Sequence, residues 1–261
     1  MSLVHPTAII SDKAKVHPEA QIGPYAVIVG EVTIGKGTIV DHHASIGCEQ
    51  GITEIGENNH FSPSCVVGAP PQDLSYKNEK TKLIIGNNNT IREFATLNNG
   101  TAKDNGVTQI GDNNLLMAYI HIAHDCIIGN NNVIANSTQF AGHITVEDNI
   151  VISGGCLINQ FTKIGRGAYV TGDSSVNKDV PPFTIVQGKY AVMRACNKVG
   201  LERSGMDKSE VDNIYKAVRI LIKGKNTLED SIEKIKSECE QTDNIKYFLN
   251  FIQSSERGLA F

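Results

Sequence analysis

Aliphatic residues recur every six positions along most of this chain. They stand at Val4, Ile10, Val16, Ile22, Ile28, Ile34, Val40 and Ile46, then at Ile55, Phe61 and Val67, and then at Ile85, Ile91 and Leu97. From Ile110 the beat runs unbroken through Leu116, Ile122, Ile128, Ile134, Phe140, Val146, Ile152, Ile158, Ile164 and Val170 to Val176. Self-similarity at a fixed spacing marks a repeat architecture. The unit reads aliphatic, small or Gly, two polar, small, any residue, as in Ile34-Gly35-Lys36-Gly37-Thr38-Ile39. A helix needs apolar recurrence near 3.6 residues, which is absent, so the pattern predicts a short strand and a tight turn, repeated. The turns carry Glu57-Asn58-Asn59, Asn87-Asn88-Asn89, Asp112-Asn113-Asn114 and Asn130-Asn131-Asn132. Asn and Gly tolerate the left-handed backbone region that such corners need.

The beat is interrupted at 47–54, at 68–84 with Pro70-Pro71-Gln72-Asp73, and at 98–109 with Asn99-Gly100 and Asn105-Gly106. The second and third interruptions predict external loops, where binding residues tend to sit. Pro181-Pro182 closes the repeat region. A helical stripe follows at Val211, Ile214, Tyr215, Val218, Leu221 and Ile222, stopped by Gly224. Thr227-x-x-Asp230 reads as a capping box before Leu228, Ile232 and Ile235, and Asp243 opens a last helix with Phe248, Leu249 and Ile252.

The repeat resembles that of the hexapeptide-repeat family, whose fold is a left-handed parallel β-helix: three units close one triangular coil. The resemblance implies a mainly β protein, with the prism over residues 1–187 and a C-terminal α-helical region over 188–261. On such a coil His124, Asp125, His143, Asn159 and Gln160 fall on one outer side of successive turns, with His121 at the preceding corner. Coils stack about 4.8 Å apart. Two imidazoles and a carboxylate gathered there suit proton transfer near neutral pH. His5, His17, His42, His43 and His60 read as scattered surface residues.

Charge adds a second feature. The net charge is −4, which argues against general nucleic-acid binding. Residues 178–225 nevertheless hold 10 Lys/Arg against 5 Asp/Glu, a landing site for an acidic partner. Neither a signal peptide nor a membrane span is evident. The six Cys lack paired metal-type spacing. Cys65, Cys126 and Cys156 each follow a beat position by four residues and read as reduced core thiols of a cytoplasmic protein.

A closer resemblance lies in the motifs. Leu115-Leu116-Met117, His121-Ile122-Ala123-His124-Asp125-Cys126, Pro71-Gln72-Asp73-Leu74, Ile91-Arg92-Glu93, Ala141-Gly142-His143, Asp179-Val180-Pro181-Pro182, Gln187-Gly188 and Arg257-Gly258-Leu259 occur in the order found in UDP-N-acetylglucosamine O-acyltransferases, the first enzymes of lipid A biosynthesis. The resemblance implies transfer of a (3-hydroxy)acyl chain from acyl carrier protein to the 3-hydroxyl of UDP-N-acetylglucosamine, by a homotrimer and without a cofactor or metal. His124 matches the general base, Asp125 an orienting group and Gly142 the backbone oxyanion donor. Asp73, His121, His143, Gln160, Asn197 and Arg203 match substrate-contacting positions, and Gly172 the residue that limits acyl length. The basic block would receive the carrier protein. Asn159, Ser75 and Asn98 depart from the His, Lys and His often found in the family, and this leaves open an acceptor bearing a 3-amine.

Other readings compete. A related N-acyltransferase of the same pathway carries a further N-terminal domain, whereas the beat here begins at Val4. A CoA-dependent acetyltransferase would use acetyl-CoA as donor. A γ-class carbonic anhydrase would place His121, His124 and His143 around zinc, although their spacing is not that family's. A purely structural solenoid would show Thr ladders, which are absent. The string Gly30-x4-Gly35-Lys36-Gly37 lacks the Ser/Thr and the helix of a phosphate loop.

Overall fold

A computed structural model describes residues 3–223 and 227–261. The hexapeptide units wind into a left-handed parallel β-helix, capped by helices at its C-terminal end. Short strands, most of two residues, line three flat faces. The first face stacks Gln21–Ile22, Ile39–Val40, His60–Phe61, Thr90–Ile91, Leu115–Leu116, Val133–Ile134, Val151–Ile152 and Tyr169–Val170. The second face carries Thr96–Asn98, His121–Ile122, Gln139–Phe140, Leu157–Ile158 and Ser175–Val176. The third carries Lys82–Ile85, Val107–Ile110, Ile127–Ile128, Thr145–Val146 and Lys163–Ile164. Every beat residue from Ile22 to Val176 is buried inside the triangle. Each contributes roughly 1.5–3 kcal/mol by leaving water. Val4, Ile10 and Val16 are only partly buried, because the first coil has a neighbour on one side alone.

The corners show why the turns need Asn. Asn58, Asn88, Asn113, Asn131 and Asn149 have φ of 55–58°, in the left-handed region that most side chains avoid. The next residue turns inward. The buried Asn89 donates from its amide and Nδ2 to Asn59 Oδ1 at 2.9 and 3.0 Å, and Asn114 repeats both bonds to Asn89 at 2.8 and 3.0 Å. These ladders satisfy polar groups at a corner that would otherwise be buried without partners.

The register locates the interruptions. On the second face Ile10 stacks on Ile28 and Ile28 on Ile46, one regular coil each. The same regular step returns from Ile122 through Phe140 and Ile158 to Val176. Between them Ile46 stacks on Val67, Val67 on Leu97 and Leu97 on Ile122. Each of these coils is longer than the regular one: the first slightly, the second by far the most, the third by an intermediate amount. All three excesses fall between the second and third faces, on successive coils. Lys82–Ile85 and Val107–Ile110 are strands at the ends of the two stretches expected to be loops, because Leu83, Ile85, Thr108 and Ile110 point inward.

Past Pro182 one more strand, Thr184–Gln187, stacks in parallel on Tyr169–Val170. Val192–Cys196 then pairs with it antiparallel and ends the stacking. Four helices follow among the described residues: α1 Lys198–Arg203, α2 Lys208–Lys223, α3 Leu228–Glu238 and α4 Asp243–Gln253. Thr227 and Asp230 make the reciprocal capping box before α3, and Thr242 caps α4. Gly224 lies outside the described residues. The tail returns to the prism, where the Asp179 amide donates to Gly258 O at 2.9 Å and Ala260 donates to Asp179 O at 3.0 Å. No described helix is long and apolar enough to cross a membrane.

Candidate functional site

The site lies at the corner carrying the insertions, one coil beyond the last of them. Strand His121–Ile122 delivers Ala123, His124 and Asp125 to that corner, and the next coil delivers Ala141, Gly142 and His143 above them. Asp125 and His143 occupy equivalent turn positions on successive coils, both in the left-handed region with φ of 60 and 61°. This conformation costs about 1–2 kcal/mol for a residue with a Cβ. It turns the Asp125 carboxylate back toward its own neighbour.

As a result the buried Asp125 Oδ2 sits 2.8 Å from Nδ1 of His124. The same carboxylate accepts from the Thr101 amide at 2.8 Å and from Thr101 Oγ1 at 2.7 Å. The Asp125 amide donates to Thr108 Oγ1 at 2.8 Å. Burial works to raise the Asp125 carboxyl. The bonds from His124 and from the Thr101 amide and hydroxyl, with the field of His143, outweigh it and hold the carboxyl below the usual carboxylate range. An ionised carboxylate only accepts, so Nδ1 carries the His124 proton and Nε2 is left bare in the neutral ring.

The His124 side chain is 14 % exposed and opens onto a cleft of about 430 Å³. Gln72, His121, Phe140, Gly142, Leu157 and Asn159 are among its walls. Gly142 is shaped by the imidazole: a Cβ there would lie 2.5 Å from His124 Cε1. Among the described residues its amide has no hydrogen-bond partner. His121 Nδ1 lies 2.7 Å from Thr96 Oγ1, and burial, followed by the nearby His124, pushes its pKa down. His143 stacks on Phe161 at 4.7 Å, meets His124 edge-on at 5.2 Å, and places Nδ1 3.0 Å from Asp104 Oδ2. Gln160 is exposed at the same corner one coil on, next to Asn159.

Asp73 arrives from the longest insertion. It accepts from the Ser75 amide and hydroxyl, both at 2.8 Å, and pairs with Lys103 at 3.0 Å. The Ser75 amide, then Lys103, then the Ser75 hydroxyl hold its carboxyl well below the usual range. Asn98 is buried, whereas Ser75 and Asn159 are exposed. Gly172 lies exposed at the corner leading into the second face, and a Cβ there would meet Gly154 O only at 3.5 Å.

Asn197 and Arg203 lie elsewhere. They bound a separate cleft of about 470 Å³ on the first face, beside Val151, Tyr169 and Ile185. Asn197 is the N-cap of α1: its Oδ1 accepts from Gly200 at 3.1 Å and its Nδ2 donates to Gly167 O at 2.9 Å. Within one protomer these two residues share no wall with His124.

His124, Asp125 and His143 offer ligand atoms that all lie within 4.8 Å of one another. Asp125 thus takes the place that a three-histidine zinc set would give to His121. Thr101, Thr108, Lys103 and Asp104 were not anticipated from sequence. Their one signal was membership of the insertion that precedes Asp125.

Comparison with known proteins matches this picture. Residues 108–142 match the bacterial transferase hexapeptide model, and residues 179–260 match the model described as UDP N-acetylglucosamine O-acyltransferase, domain 2. The acyl-[acyl-carrier-protein]–UDP-N-acetylglucosamine O-acyltransferase of Thermodesulfovibrio yellowstonii is 46% identical over 260 residues, covering 100% of both chains. That of Campylobacter concisus is 38% identical over 260 residues, covering 99% of this chain and 97% of its own. Among solved structures, LpxA from Acinetobacter baumannii superposes with a TM-score of 0.94 at 39% identity, covering 100% of both chains. UDP-N-acetylglucosamine acyltransferase from Campylobacter jejuni gives 0.91 at 38% identity, covering 98% of each chain. Fold and site together define a hexapeptide-repeat acyltransferase. The chain belongs to the UDP-N-acetylglucosamine O-acyltransferase family.

Proposed function

We propose that this chain moves a (3-hydroxy)acyl group from acyl carrier protein to the 3-hydroxyl of UDP-N-acetylglucosamine, the first step of lipid A biosynthesis, with His124 as general base. The observation that carries this is the pairing of His124 Nδ1 with buried Asp125, 2.8 Å away, in a ring facing an open cleft. Nε2 takes the hydroxyl proton as the sugar oxygen attacks the thioester carbon. The carbonyl oxygen gathers negative charge, and the Gly142 N–H, without a partner among the described residues, is taken as the donor that meets it. As the C–S bond breaks, the imidazolium returns the proton to the carrier's thiolate. Asp125 keeps the ring in the reactive tautomer throughout. Asp73, His121, His143 and Gln160 contact the nucleotide-sugar, and Gly172 leaves room for the acyl chain.

Asn197 and Arg203 take the nucleotide end, the guanidinium offering a forked donor set to the diphosphate. Their place on another face supports a homotrimer, in which the first face of one protomer meets the second face of the next. Sedimentation of the intact chain tests this: an active monomer would contradict it. Arg194, Arg219 and Lys223 gather where α2 crosses Val192–Cys196, and they support docking of the acidic carrier there. Six free, buried cysteines suit the reducing cytoplasm.

The decisive experiment is mass spectrometry of products from UDP-N-acetylglucosamine and from its 3-amino analogue, each offered a ladder of acyl carrier protein thioesters. Acylation of the hydroxyl sugar is expected. Exclusive acylation of the amine, or transfer from acetyl-CoA alone, would replace the proposal.

A further inference from the structure

The loop between Asn99 and Gly106 reaches the site through three of its residues. Thr101 donates to Asp125 from its amide and hydroxyl. Lys103 pairs with Asp73 at 3.0 Å. Asp104 Oδ2 lies 3.0 Å from His143 Nδ1. The first two contacts anchor the loop to the corner and to the neighbouring insertion. The third does something different, because it is the one hydrogen bond made by the His143 ring among the described residues.

The ring's remaining contacts are a stack on Phe161, at 4.7 Å and 13°, and an edge-on meeting with His124, at 5.2 Å and 86°. Stacking holds the plane of an imidazole but is indifferent to which nitrogen lies on which side. Nε2 is 3.8 Å from Asp125 Oδ2, too far for a hydrogen bond. A carboxylate only accepts, so the nitrogen beside Asp104 must carry a proton. His143 then repeats the arrangement of His124, with Nδ1 on a carboxylate and Nε2 uncommitted.

We propose that Asp104 is a positioning residue that sets the tautomer and the edge of His143, so that the proton stays on Nδ1 and the bare Nε2 lies on the side of Asp125 and His124. What the bare nitrogen does for the acceptor sugar rests on the acyl-transfer reading, whereas the tautomer does not. The Asp104 side chain is 42 % exposed, so its replacement leaves the core intact, and Thr101 and Lys103 still anchor the loop.

The test is long-range proton–nitrogen NMR of the histidine rings in the intact, labelled chain, about two pH units above the ordinary imidazole value of about 6.5. A proton on His143 Nδ1 is expected. Asp104→Ala should move it to Nε2, the form free histidine prefers, and Asp104→Asn, whose Oδ1 still accepts, should keep it on Nδ1. In kinetics, Asp104→Ala should raise KM for UDP-N-acetylglucosamine about tenfold, the size of one partly solvated charged hydrogen bond. Its kcat should stay within about twofold, and Asp104→Asn should restore KM. A bare Nδ1 in the unaltered chain, an unchanged tautomer in Asp104→Ala, or an Asn variant as impaired as the Ala variant would each overturn the proposal. Absence of acyl transfer by the unaltered chain would sink that reading alone and leave the tautomer result to stand or fall by itself.

Discussion

The imidazole of His124 lies flat against the α-carbon of Gly142, one coil on, with no room for a methyl group between them. A Cβ on residue 142 would lie 2.5 Å from Cε1 and 2.9 Å from Nε2. The obstructing atoms belong to a side chain, so the ring would yield and the backbone would not. Gly142→Ala should therefore keep the thermal midpoint near that of the unaltered chain. It should lower kcat about 10²-fold, the penalty of a misplaced reacting group. Steady-state kinetics beside a melting curve checks this.

His124→Ala removes the proposed base while taking little from the core, since the ring borders an open cleft. Acyl transfer should fall about 10²–10⁴-fold. Full turnover by the folded variant would defeat the assignment.

Asp125→Asn presents the opposite case, a buried group with three hydrogen bonds to lose or rearrange. An amide in place of the carboxylate weakens the hold on Nδ1–H and confronts Thr101 with a possible second donor. Stability should drop by about 1–3 kcal/mol, read from urea unfolding. The fall in kcat should exceed what that stability loss explains.

His121 makes stability depend on pH. Its folded pKa is depressed, by burial first, so the unfolded chain binds the proton more readily. Its contribution is complete above the unfolded value of about 6.5 and is lost as pH falls through the lower folded value. Urea midpoints should therefore decline as pH falls from about 7.5 through the ordinary imidazole range, and His121→Gln should flatten that part of the slope. An equal decline in the variant would assign it to other groups.

Gly172→Met should shift the preferred acyl chain toward shorter lengths without harming the fold, because a Cβ at 172 meets its nearest backbone atom at an ordinary 3.5 Å. An unchanged product profile across the thioester ladder would remove residue 172 from chain selection.

The prism was legible because its rule is local. A side chain at every sixth position must point inward, so Ile22 through Val176 could be placed without knowing any contact. The cap of α3 was legible for the same reason, Thr227 and Asp230 lying within one helical turn of each other, whereas the caps Asn197 and Thr242 were not. The stripe on α2 is in register, with Val211, Ile214, Val218 and Leu221 buried, and differs only at its edge: Ala217 is buried, while Tyr215 turns outward with the Lys198 ammonium over its ring at 4.7 Å. α1 escaped notice, being short, with Gly200 inside and no apolar period. In the site, adjacency of His124 and Asp125 could not reveal whether they touch, since the answer lies in one left-handed φ. Thr101 and Asp104 were beyond reach because an insertion has no repeat by which to index its residues. Some motifs that carried the family resemblance hold the structure together: Asp179 and Gly258 join the tail to the last coil.

The three excursions, though of very different lengths, leave the strands on either side in step. The prism therefore tolerates lengthening or shortening at that one vertex without disturbing any rung above or below. Closing a longer loop costs only a slowly growing entropy. Selectivity for a sugar can thus drift through residues such as Lys103 and Asp104, while the rungs that aim His124 stay where they are.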